Sequence, residues 1–124
     1  MRDLKEAEHW LNSAKKLFND PSEDREKYTV VVAQCIHSII KTNDALSMRF
    51  FGRRAMRHDE APKLFLELIR ENKIPSEYAN LRKIVTEAVQ LKSKVDYKGK
   101  EISKTEAKRW ISKAEKFYNK VKNL

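Results

Sequence analysis

A chain of 124 residues with only 2 glycines, 3 prolines and 1 cysteine is long enough to bury a core of its own and has no means of stapling it with an internal disulfide. Charged residues make up 36% of it and hydrophobic residues 40%, proportions that favour a compact set of long helices over a sheet protein or a disordered chain. The net charge of +9, with 11 Lys/Arg against 4 Asp/Glu in residues 92–124, points to a polyanionic partner, and no apolar run is long enough to span a membrane.

The opening residues Met1-Arg2-Asp3-Leu4-Lys5-Glu6 lack the apolar stretch of a signal peptide, so a cytoplasmic location is expected. A first helix over about residues 3–19 places Leu4, Ala7, Trp10, Leu11, Ala14, Leu17 and Phe18 on one face, and Asn19-Asp20-Pro21-Ser22 ends it. The second and longest helix begins near residues 22–25 and runs to about Phe51, where Gly52 offers a stop. Tyr28, Val31, Val32, Cys35, Ile36, Ile39, Ile40, Leu46 and Phe50 give it a wide apolar stripe, and a helix apolar over so much of its circumference is either central in its own domain or shared with a second chain. Cys35 falls inside that stripe as a small core residue. Asn43 and Asp44 interrupt it.

A third helix, starting between Asp59 and Pro62, buries Leu64, Phe65, Leu68 and Ile69 and stops at Asn72-Lys73-Ile74-Pro75. Ser76 is read as the cap of a fourth helix, whose inner face is Tyr78, Leu81, Ile84, Val85, Ala88 and Leu91. The fifth opens on the capping box Ser103-Lys104-Thr105-Glu106 and turns Ala107, Trp110, Ile111, Ala114, Phe117, Val121 and Leu124 inward. Short connections between these stripes predict an all-α, up-and-down bundle of four to five helices forming one domain over residues 1–124.

One segment concentrates chemistry. Arg49, Arg53, Arg54, Arg57 and His58 fall within ten residues at the end of the long helix. A histidine exchanges protons near neutral pH and arginine grips a phosphate with two prongs, a pairing suited to a phosphodiester. Attack of a ribose 2′-hydroxyl with a base to take its proton and a cation to hold the phosphorane needs no metal. His58 can fill one proton-transfer role, and a symmetric dimer would supply a second copy. His9 and His37 read as structural, and the sequence offers no metal constellation and calls for no cofactor.

These features resemble the HEPN (higher eukaryotes and prokaryotes nucleotide-binding) family of small helical domains. The resemblance is carried by Ala14-Lys15-Lys16-Leu17-Phe18, by the stretch from Ala33 to Leu46, by Arg53 to His58, by Glu60-Ala61 with Leu64 to Leu68, and by Val95 to Gly99 followed by Ile102 to Ala107. It implies a four- or five-helix bundle that commonly dimerises and, in active members, an RNase site made by an arginine followed four to six residues later by a histidine. Arg53 and His58 match that spacing at its shorter limit, and Asn43 and Asp44 fall where a polar residue of the second helix supports the site. Active members carry a small polar residue directly after the arginine, where this chain has Arg54.

Two functional readings stay open. One is a dimeric, RNA-interacting, toxin-like endoribonuclease with Arg53 and His58 as catalytic residues and Asn43, Asp44, Arg49, Arg54 and Arg57 supporting them or holding phosphate. The other is a noncatalytic module that binds nucleotide, RNA or a protein partner such as a nucleotidyltransferase or antitoxin. A homodimer through the second helix is expected from its wide stripe, and no membrane partner is.

Overall fold

Five α-helices follow one another, α1 (Arg2–Phe18), α2 (Glu26–Phe51), α3 (Ala61–Arg70), α4 (Arg82–Tyr97) and α5 (Lys104–Lys122), with 3-10 turns at His58–Glu60 and Ser76–Leu81. The computed structural model describes residues 2–97 and 99–124, and the side chains of His58, Asp96 and Tyr97 lie outside the described set. No strand occurs among the described residues.

Local chemistry sets the helix ends. Gly52 adopts the left-handed conformation at φ 71 and its N–H donates to the Met48 carbonyl, which terminates α2 where only a residue without Cβ sits at ease. At the start of α5 the Ser103 hydroxyl accepts from the Glu106 N–H at 3.1 Å, a cap worth about 1 kcal/mol. The connection from α1 to α2 is fastened by Lys27, whose buried ammonium donates to the carbonyls of Asp20 and Ser22 at 2.6 Å each. Ser76, expected as a helix cap, makes no such bond. It opens a 3-10 turn behind Pro75, and α4 begins only at Arg82.

Bonds between helices set their relative directions, which do not alternate strictly along the chain. Ser38 donates to the Ala7 carbonyl and Gln34 to the Ser13 hydroxyl, both at 2.9 Å, which sets α1 antiparallel to α2. Tyr118 donates to Glu8 at 2.9 Å and Lys15 pairs with Glu115, so α5 also runs against α1 and therefore alongside α2. The C-terminal ends of α2 and α5 meet where Arg49 donates to the Leu124 carbonyl at 2.7 Å.

α2 is the central helix, in contact with all four others. Val31, Val32, Cys35, Ile36, Ile39, Ile40, Ala45 and Leu46 are all buried, so the middle of the apolar stripe from which a shared, dimeric helix was expected is covered inside one chain, while Tyr28 and Phe50 at its ends are half-buried and Val30 beside it is 48% exposed. Phe65 of α3 and Phe117 of α5 meet edge to face with ring centroids 5.9 Å apart in that core. Burial pushes the Cys35 thiol up to about 12, as befits a packing residue with no nucleophilic use. Trp10, assigned to the inner face of α1, instead lies at the surface, 36% exposed, stacked on His37 at 4.7 Å. No described helix is long and apolar enough to cross a membrane.

Candidate functional site

The arginine-rich segment leaves α2 at Gly52 and rejoins helical structure at His58, the first residue of the 3-10 turn leading into α3. Residues 53–57 form an irregular loop between these points. Arg53 is exposed and makes no hydrogen bond or ion pair among the described residues. Met56, between Arg53 and Arg57, is 88% exposed. The His58 backbone opens the 3-10 turn before α3, and its side chain lies outside the described residues.

The neighbouring arginines have three different situations. Arg54 reaches across 51 residues to Asp3 in the first turn of α1, with Nη2 2.8 Å from Oδ2 and Nε 3.0 Å from Oδ2 and 3.1 Å from Oδ1. This is the two-pronged geometry that makes arginine–carboxylate pairs strong, and it ties the loop to the N-terminal helix. Asp3 has little option but to take it. The residue is only 2% exposed, and a carboxylate that deep must be paired. Arg57 binds the adjacent Asp59 at 3.2 Å on the surface, an exchangeable contact that a phosphate can displace. Arg49, a candidate supporting residue, is turned toward the end of α5, over the Phe50 ring and onto the Leu124 carbonyl.

Behind the loop lies an ionic cluster. Lys41 of α2 sits 3.1 Å from Glu6 and 3.9 Å from Asp3, joining these two acids of α1 to α2. Arg2 also pairs with Glu6 at 2.9 Å, and these two cations hold the Glu6 carboxyl below its usual range. Asp44, 8% exposed, belongs to the same neighbourhood: burial first, and then the like charge of Asp3, push its carboxyl up from 3.8 to about 6, while Lys41 and Arg54 pull the other way. Asn43 points elsewhere, with its Nδ2 donating to the Ala61 carbonyl at 3.3 Å and so fixing the start of α3. Its Oδ1 and the Ser47 hydroxyl one turn later are buried without hydrogen-bond partners among the described residues, an uncommon condition for polar groups.

The Asp44 shift has a measurable sign. Because folding raises this pKa, the folded chain holds more protons than the unfolded one between pH 3.8 and about 6. The stabilising contribution is therefore complete below that window and is lost as pH rises through it. Asp44→Asn abolishes the titration, so the variant is expected to gain on the parent chain across the window and to keep a constant advantage above it. Urea midpoints taken through the window and at neutral pH check this, and a difference that does not vary with pH would take Asp44 out of the titration.

Asp3, Glu6 and Lys41 were not among the residues singled out from sequence. One signal was available: Asp3 precedes Ala7, Leu11 and Ala14 at helical spacing, so an acid stands on the buried stripe of α1 and demands a cation from another element. Nothing local says which cation. Among the described residues no group of three or more His, Cys, Asp or Glu side chains is placed to hold a metal ion.

The loop thus offers one unpaired guanidinium, one loosely paired one, and a histidine position at the mouth of a helix, all anchored by a half-buried ion pair. A family model for the HEPN domain matches residues 1–124, the full length of the sequence. No curated protein matches it significantly.

Proposed function

This chain belongs to the HEPN domain family, and from that membership we propose that it is a metal-independent endoribonuclease acting through Arg53 and His58. Membership supports an RNA- or nucleotide-related function in general. The observation that carries the finer reading is the contrast between adjacent arginines: Arg54 is committed to Asp3, whereas Arg53 projects unpaired into solvent on a loop that the Arg54 pair holds in place. A cation kept free of protein partners is available to an incoming phosphate.

In this reading His58 removes the proton from a ribose 2′-hydroxyl, whose oxygen attacks the adjacent phosphorus. The bond from phosphorus to the 5′-oxygen breaks, leaving a 2′,3′-cyclic phosphate and a 5′-hydroxyl end. Arg53 compensates the charge that gathers on the phosphorane oxygens, with Arg57 able to exchange Asp59 for a neighbouring phosphate. The departing 5′-oxygen needs a proton, which the His58 of a second copy would deliver if two loops meet across a two-fold axis. The exposed Met56 between the two arginines supports contact at the loop rather than through α2.

The test is incubation with structured RNA in the presence of a chelator, beside a His58→Ala variant. Cleavage by the parent chain that falls about 10²–10⁴-fold in the variant is the expected result. Equal cleavage by both would remove His58 from the mechanism. Binding without cleavage, weakening steeply as salt is raised, would instead favour the noncatalytic reading that the Arg54 departure suggests. Light scattering decides the dimer, since a mass of 14.6 kDa in solution would eliminate the two-copy site.

A further inference from the structure

Two buried carboxyl groups converge behind the arginine loop, and only one of them is paired. Asp3 of α1, 2% exposed, takes both Nε and Nη2 of Arg54. Asp44 of α2, 8% exposed, makes no hydrogen bond or ion pair among the described residues. The charged groups that face it come from three elements: Asp3 and Glu6 from α1, Lys41 from its own helix, and Arg54 from the loop. Lys41 stands nearer to Glu6, at 3.1 Å, than to Asp3, at 3.9 Å, and the exposed Arg2 pairs with Glu6 from outside.

The inner part of this cluster therefore sets three acids against two cations. With Asp44 uncharged the set balances, Arg54 against Asp3 and Lys41 against Glu6, which is the arrangement observed. With Asp44 ionised, a third carboxylate competes for the same two cations, because a buried carboxylate without a partner either draws a cation to itself or takes up a proton. The two cations differ in their freedom to answer. Lys41 is rooted in the body of α2 and already occupied by Glu6. Arg54 stands on the irregular segment 53–57, with its side chain 44% exposed, so it is the cation that can shift.

We propose that Asp44 acts as a proton-operated catch on residues 53–57: protonated, it leaves Arg54 to Asp3 and the loop stays clamped to α1; ionised, it pulls the guanidinium away from Asp3 and the loop is released. Burial and the neighbouring Asp3 push the Asp44 carboxyl up to about 6, which puts the change just below neutral pH. The direction agrees with competition. If ionised Asp44 gained Arg54 at no cost to Asp3, its carboxyl would lie below 3.8 rather than above it. Arg53 rides on the same loop, so its placement becomes pH-dependent although arginine itself does not titrate in this range. The consequence for cleavage rests on the ribonuclease reading. The movement of Arg54 does not, and it is what the experiment measures.

Solvent exchange of the Arg54 Nε–H, followed by nitrogen NMR on the whole protein, tests the catch, with Asp44→Asn as its permanently uncharged form. This hydrogen reports the clamp directly, since Nε donates to the two Asp3 oxygens at 3.0 and 3.1 Å. Comparing the two proteins at the same pH removes the intrinsic dependence of exchange on hydroxide. They are expected to exchange alike on the acid side of the Asp44 titration, and at neutral pH the parent should exchange at least about tenfold faster. Asp3→Asn gives an independent readout in the carboxyl-carbon shift of Asp44: removing a like charge and freeing Arg54 should lower its titration midpoint by at least about one pH unit. Equal exchange in parent and Asp44→Asn at neutral pH would overturn the catch, because the loop would then stay clamped whatever the charge on Asp44. So would an Asp44 midpoint unmoved by Asp3→Asn, which would leave burial alone in control. Neither result involves RNA, so a chain whose Arg54 exchange follows Asp44 but which cleaves no RNA keeps the catch and loses the ribonuclease reading.

Discussion

Phe117→Ala is expected to destabilise the fold by about 3–5 kcal/mol, the cost of removing an aromatic side chain from a core that cannot close over the space. Phe117 has no exposed surface and contacts Phe65 edge to face, so both hydrophobic burial and ring geometry are lost together. Against a typical total of about 5–15 kcal/mol, this is a large fraction, and it corresponds to a fall in Tm of roughly 10–20 °C. Thermal unfolding followed by circular dichroism measures it. A fall of only a degree or two would mean that the Phe117 ring is not packed in the core against Phe65.

The second large effect separates two adjacent residues. Arg53→Ala should lower RNA cleavage by about 10²–10³, the usual consequence of deleting a group that stabilises transition-state charge, and should leave the melting temperature unchanged. Arg54→Ala should do the reverse in kind. It leaves Asp3 without its two-pronged partner and unfastens the loop from α1, so the loss appears first as lower thermal stability. Lysine at position 54 keeps the charge without the fork and should recover only part of that stability. If both alanine variants lost cleavage equally with equal melting temperatures, the division between a free and a clamped arginine would be wrong.

That division shows where the sequence was readable. Helix existence and nearly all boundaries followed from local signals: apolar spacing for the bodies, Gly52 for the end of α2, and Ser103 with Glu106 for the start of α5. Each is decided within a few residues. The bond between Asp3 and Arg54 is decided by the packing of α1 against α2, and four arginines within nine positions look alike until that packing selects one. The same limit explains the stripe of α2. Its width was visible, but whether other helices or a second chain cover it depends on how α5 lies along it. Ser76 misled for a local reason, because Pro75 permits either a cap or a 3-10 turn and the buried Leu81 favours the tighter winding.

The link between Tyr118 and Glu8 closes the longest loop described, 110 residues. During synthesis this closure waits for α5 to leave the ribosome. At about 5–20 residues per second, the 19 residues of α5 take roughly one to four seconds to add, and throughout that time the faces of α1, α2 and α4 that it will cover stand open. The nascent chain thus passes through a stage in which its most apolar helix is exposed along one side, and it is then, rather than in the finished bundle, that α2 is open to capture by chaperones or by another copy of itself.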